Sequence, residues 1–167
     1  MAYKKYKYNN KDKIYTIDQL KNKVLYFINY RMRSRKEVLN KLQKLNALAE
    51  DTKLIINELE DLGLINDEKF IEFFVREFFE IKKLGLSRVN FELHKLGFDS
   101  LLIQDSVQQY LLQEEYSPED EALNLIEQKY RSTLPEDHKI IAFLGRRGFS
   151  YSVANKALTN HKKQKDI

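Results

Sequence analysis

The sequence predicts an all-α protein, an elongated tandem array of three three-helix repeats. Three observations carry that reading. Apolar residues recur at helical spacing along almost the whole chain. Start and stop residues for helices punctuate it at regular intervals. A shift of 51 residues superposes the apolar columns twice. With 5 Gly and 2 Pro in 167 residues, the chain is too poor in turn formers for a sandwich or barrel. Sustained period-two alternation is missing, apart from a short stretch around Ile14–Ile17.

In chain order, residues 1–13 are Lys, Tyr and Asn with almost no aliphatic content, and are expected to form a mobile arm. Repeat one follows at 14–66. Leu20, Val24 and Ile28 stand four apart and predict a helix over 18–32, which Thr16-Ile17-Asp18-Gln19 can cap. Ser34-Arg35-Lys36-Glu37 is a second capping box, because the hydroxyl accepts from the third backbone N–H while the Glu reaches back; Val38 and Leu42 continue that helix over 34–46. Ile55, Leu59 and Gly63 mark a third at 51–63.

Repeat two, 67–116, opens on Asn66-Asp67-Glu68, an acidic start that suits the positive helix end. Helices are expected at 67–84, 87–97 and 99–113, with the Phe70–Phe79 stripe facing the core. Repeat three, 117–160, opens on Ser117-Pro118-Glu119-Asp120, with Pro at the first helical position where no donor is needed. Its helices are expected at 117–131, 135–147 and 150–160, the second opening on Leu134-Pro135-Glu136-Asp137. Gly63, Gly85, Gly97 and Gly148 read as stops. Lysines in 161–167 read as a basic tail.

Six columns are apolar in all three copies: Leu20/Ile71/Ala122, Val24/Val75/Ile126, Ile28/Phe79/Tyr130, Val38/Val89/Ile140, Leu42/Leu93/Leu144 and Ala47/Phe98/Phe149. Asn46, Gly97 and Gly148 fall together at the same helix end. Units of about 50 residues lie near the lower limit for an independent core, so each is expected to lean on its neighbour.

Composition excludes several functions. Cysteine is absent, so disulfides, thiolate chemistry and Cys-ligated zinc are out, and a reducing, cytoplasmic setting is expected. No apolar run approaches the ~20 residues of a membrane span, and Met1–Lys7 has no apolar region of a secretory signal. His94, His138 and His161 lack HxxxH or HExxH spacing, so no metal is expected. There is no phosphate loop and no nucleophile elbow. Carboxylate pairs such as Glu114/Glu115 are what any charged helical surface shows. No cofactor and no catalytic residue is expected.

The basic segments point to binding. Lys and Arg number 29 against 25 Asp and Glu, a formal net +4, which permits a polyanionic partner. Arg31, Arg33, Arg35 and Lys36 crowd the first helix junction. Arg31 and Arg33 suit the end of the helix before them, but Arg35 and Lys36 open the next one, where cations are mildly unfavourable; an anionic contact is expected to compensate. Lys82, Lys83 and Arg88 occupy the corresponding junction of repeat two. Arg146 and Arg147 close a helix in repeat three, where the dipole alone would explain them.

Three segments in order give the chain a family likeness: Tyr30-Arg31-Met32-Arg33-Ser34-Arg35-Lys36-Glu37-Val38, Leu59-Glu60-Asp61-Leu62-Gly63-Leu64-Ile65-Asn66-Asp67-Glu68-Lys69-Phe70 and Arg146-Arg147-Gly148-Phe149-Ser150-Tyr151. From about residue 18 to 160 it resembles the bacterial RecX regulatory proteins, modulators of the RecA recombinase. Where that family's second repeat often reads Lys-Gly-Pro, Leu84-Gly85-Leu86 stands here. The resemblance implies a non-enzymatic monomer, away from membranes, that binds along the groove of RecA filaments on single-stranded DNA. It implies restraint of ATP hydrolysis, strand exchange and coprotease activity in recombination, repair and the SOS response. It also implies single- or double-stranded DNA as a further partner. The family's basic surface would map to Arg31, Arg33, Arg35, Lys36, Lys82, Lys83, Arg88, Arg146 and Arg147. A stand-alone DNA-binding helical module is the alternative, and a plain helical scaffold a third reading. On this basis, charge reversal at Arg31 and Arg33 is expected to weaken filament binding with the helices intact.

Overall fold

A computed structural model of the chain describes residues 14–131 and 135–165; the arm at 1–13 and the last two residues of the expected tail lie outside them. The described residues form nine helices and no strand: α1 (Ile17–Tyr30), α2 (Arg35–Lys44), α3 (Ala49–Asp61), α4 (Asp67–Arg76), α5 (Leu86–Leu96), α6 (Ser100–Gln113), α7 (Pro118–Lys129), α8 (Asp137–Arg146) and α9 (Tyr151–Lys165). The chain divides into two compact units, the first ending at Asp67 and the second beginning at Glu68.

In the first unit, α1 and α2 begin as their capping boxes require. The Thr16 and Ser34 hydroxyls accept from the backbone N–H of Gln19 and Glu37, and those side chains accept from the backbone N–H of the two cap residues. Leu20, Val24, Val38, Leu42, Ile55, Ile56, Leu59 and Ile65 form a buried core beneath the three helices. Burying each such side chain is worth about 1.5–3 kcal/mol, which lets a unit this small hold together.

In the second unit, α4 does not stay α-helical to residue 84. It widens into a π turn over Glu77–Ile81, closed by Lys82 N–H donating to the Glu77 carbonyl at 2.9 Å. Phe74, Phe78 and Phe79 are buried, as the stripe predicts, while Phe73 is half exposed. The Phe79 ring lies flat on Tyr110 with centroids 4.8 Å apart, and Phe74 meets Phe98 at 5.7 Å. Around α7–α9, Ala122, Leu125, Ile126, Ile140, Phe143, Leu144, Ala154, Ala157 and Leu158 make a second cluster.

The repeat is visible in burial. Four of the six columns, those headed by Leu20, Val24, Val38 and Leu42, are buried in all three copies. The helix-end column agrees through the backbone: Asn46, Gly97 and Gly148 all adopt positive φ, at 56°, 92° and 94°. Asn is one of the few side-chain-bearing residues that visits this region readily.

Two expectations need correction. Gly85 is not a stop. It is the N-cap of α5, with φ −76°, and the turn before it is made by Lys83 at φ 53°. The basic tail is not a tail as far as residue 165. Helix α9 continues through it, with His161 buried and Lys162 Nζ 2.7 Å from Asp137 Oδ2.

Candidate functional site

At the α1–α2 junction the side chains of Glu37 and Ser34 organise the cations. The Arg31 guanidinium grips both Glu37 carboxylate oxygens, at 2.6 and 3.3 Å, and donates to the Met32 carbonyl at 2.8 Å. Arg33 reaches the same carboxylate at 3.3 Å, donates to the Phe27 carbonyl, and lies 3.9 Å over the Phe27 ring. Its side chain is only 12% exposed. Arg35 Nε donates to Glu60 at 2.8 Å, while its backbone N–H donates to the Asp67 carboxylate at 2.8 Å. Partial burial raises the Asp67 carboxyl above its ordinary value; the Arg35 N–H and charge pull the other way. The anion expected to compensate cations at the start of α2 is therefore the protein's own: Asp67 and Glu60 supply it. Lys36 is exposed and has no ion pair with a described residue.

The other five candidates come together in the second unit. The loop from the π turn to α5 lies against the α8–α9 loop, backbone on backbone. Gly85 N–H donates to the Arg147 carbonyl at 2.8 Å, and the Ser87 hydroxyl donates to the Gly148 carbonyl at 2.8 Å. Arg147 is the strut: its guanidinium donates to the Lys82 and Lys83 carbonyls, at 2.8 and 3.2 Å. A Cβ on Gly85 would fall within 3.0 Å of the Gly148 carbonyl, and one on Gly148 within 3.0 Å of Arg88 backbone atoms. Glycine at both positions is what allows the approach.

Around this seam Lys82 pairs with Glu77 at 2.9 Å and sits 4.5 Å over Phe78. Lys83 pairs with Glu121 at 3.4 Å, and Arg88 with Glu92 at 2.7 Å while stacking on Phe91. Arg146 is exposed, at the C-terminal end of α8, with no ion pair to a described residue. The site is thus a seam of five cations with three carboxylates beside it. Sequence reasoning missed Ser87 and the carboxylates Glu77, Glu92 and Glu121. The i, i+4 spacing of Arg88 and Glu92 was a signal for one of them; nothing local marks the others.

Among the described residues no group of three or more His, Asp or Glu could hold a metal ion, and no helix is long and apolar enough to cross a membrane. An open cleft of about 320 Å³ between α5 and α6 is lined by Leu86, Asn90, His94, Gln104 and Gln108 among others. Its lining brings the His94 imidazole and the Ser100 hydroxyl to one cleft, with no hydrogen bond between them.

A family model described as RecX, third three-helix domain, matches residues 118–158, that is α7, α8 and the first half of α9. The chain is 31% identical over 115 residues to the regulatory protein RecX of Oceanobacillus iheyensis, covering 69% of this chain and 41% of that protein. It is 32% identical over 134 residues to the regulatory protein RecX of Bacillus pumilus, covering 79% and 51%. The chain spans about half the length of the curated relatives it matches. Among solved structures, RecX from Lactobacillus salivarius superposes with a TM-score of 0.67 at 27% identity, covering 87% of this chain and 96% of that one.

Proposed function

Because the chain belongs to the RecX family, we propose that it is a non-enzymatic regulator that docks on RecA filaments assembled on single-stranded DNA and restrains their ATPase, strand exchange and coprotease activity. The observation that carries the reading is the seam in the second unit. It takes cations from segments some 60 residues apart and fixes them by backbone hydrogen bonds and the Arg147 strut. A side that presents several cations in fixed relation suits a repeating protein surface, where weak contacts add through avidity. Bridging neighbouring protomers would keep them from rearranging, and so slow turnover without chemistry by the regulator itself. A stand-alone duplex binder is less favoured, because Glu77, Glu92 and Glu121 already neutralise much of the charge that phosphate contacts would need.

The test uses DNA-dependent ATP hydrolysis by a cognate RecA with the chain added below stoichiometry. Wild type lowers the rate. Arg146→Glu combined with Lys36→Glu, two exposed positions that break no internal ion pair among the described residues, restores most of it. No effect of wild type on RecA overturns the proposal; full inhibition by the double variant overturns the assignment of these two cations.

A further inference from the structure

The three repeats differ at one place where their register is the same. Their second helices begin at Arg35, Leu86 and Asp137, and their third helices at Ala49, Ser100 and Tyr151, so both agree with the 51-residue shift. In repeat one the start of the second helix is tied to the third by Arg35 Nε and Glu60 Oε1, 2.8 Å apart. In repeat three the equivalent positions, Asp137 and Lys162, pair at 2.7 Å with the charges exchanged. In repeat two those positions are Leu86 and Leu111. Neither can make the ion pair that bridges the other two repeats, and Leu86 is left 44% exposed.

A second position changes with the first. One turn further along the second helix, Leu39 and Ile141 pack against the cores of repeats one and three. Their equivalent in repeat two is Asn90, which is smaller and polar. Leu86, Asn90 and Leu111 all line the open cleft between α5 and α6, above the buried Ile103 and Val107. Repeat two therefore lacks both the latch and the aliphatic filler that its two siblings supply for themselves.

We infer that the α5–α6 cleft is a docking groove for an extended, uncharged peptide segment of a partner protein, anchored by an aliphatic side chain. That side chain takes the place that Leu39 and Ile141 fill from within the chain. Leu86, Ile103, Val107 and Leu111 give it an apolar bed. Asn90, Gln104 and Gln108 each bring an amide that can donate to a peptide carbonyl and accept from a peptide N–H. An extended segment has those backbone groups to offer, whereas a helix has already paired its own. Charged residues make up 32% of the chain, yet among the described residues none lines the cleft. A charged segment would lose hydration there and meet no counter-charge. The groove uses none of the basic candidates and stands whether or not the seam docks on a filament.

The experiment follows the backbone and side-chain amide signals of the 15N-labelled full chain by NMR during titration with acetyl-Ser-Leu-Ser-Leu-Ser-amide, whose two leucines fall on one side when extended. The control probes are the all-serine peptide, the same peptide with aspartate for serine, and 3-methylbutanol, which is the leucine side chain without a peptide. The leucine peptide shifts the Asn90, Gln104 and Gln108 side-chain signals saturably, and each control binds at least about tenfold more weakly. Asn90→Leu restores the siblings' filler, and Leu86→Arg with Leu111→Glu restores the latch of repeat one. Both keep the helical circular dichroism and lose the peptide by at least about tenfold. If the latch variant unfolds, Asn90→Leu and the probes decide. No saturable shift at α5 and α6, an Asn90→Leu protein that binds as wild type does, or equal binding of the serine or aspartate peptide overturns the inference. Equal binding of the alcohol makes the cleft a small-molecule site and overturns the peptide assignment.

Discussion

Gly85→Ser separates two explanations for a glycine at the start of α5. By N-cap preference alone, serine should be slightly better than glycine there, by a few tenths of a kcal/mol. The backbone offers no objection, since φ is −76°. The structure expects the opposite result. The new Cβ would lie within 3.0 Å of the Gly148 carbonyl and the Phe149 nitrogen, and both are main-chain atoms that cannot swing away. Forcing an extra atom into a filled contact costs about 1–3 kcal/mol. The Gly85–Arg147 and Ser87–Gly148 hydrogen bonds then lengthen, at about 1 kcal/mol each. The net expectation is a loss of roughly 3–5 kcal/mol, read as a lower urea midpoint by far-ultraviolet circular dichroism. Gly63→Ala is the control: its φ is 66° and no atom lies within 4 Å of the added carbon, so it loses only the backbone penalty of about 1–2 kcal/mol. A Gly85→Ser protein at least as stable as wild type would refute the close-packed seam.

Two further outcomes follow from the same contacts. Burial, and after it the charges of Glu80 and Glu114, push the Tyr110 phenol from 10.0 up to about 12; the folded state therefore favours the neutral phenol, and its stability is intact below pH 10 and falls as the pH rises towards 12. Tyr110→Phe keeps the ring on Phe79 and should flatten that part of the urea-midpoint curve between pH 10 and 12; an unchanged slope refutes it. Arg31→Glu with Arg33→Glu places three carboxylates where one now serves two guanidinium groups, and Arg33 is 12% exposed, so the double variant should unfold at markedly lower urea, by about 3 kcal/mol or more. A wild-type midpoint would show that the junction carries no such coupling.

The last outcome reverses what the sequence alone expects of these arginines, and the reason is range. Thr16 with Gln19 and Ser34 with Glu37 are three residues apart, so their caps can be read from spacing. The columns headed by Leu20, Val24, Val38 and Leu42 are equally legible, because burial follows helical period. The partners of the cations lie elsewhere: Arg35 finds Glu60 across 25 residues, Lys83 finds Glu121 across 38, and Arg147 finds the Lys82 carbonyl across 65. No window of sequence shows such pairs. Gly85 was misread for a related reason. A glycine needed for close approach looks, in one dimension, like a glycine that ends a helix.

Internal pairing also decides how these cations could work. Arg31, Arg33, Arg35, Lys82, Lys83 and Arg88 each already hold a carboxylate. A partner's anion must displace that carboxylate or share the cation with it, so each contact gains little net energy. The gain then depends on geometry, since only a surface whose acids match the fixed spacing of the seam makes several exchanges at once. A flexible polyanion finds no such match and meets an almost neutral body. The formal charge agrees: Lys4, Lys5, Lys7, Lys11 and Lys13 less Asp12 give +4, the whole chain's excess. The helices are thus better suited to selective docking than to general attraction.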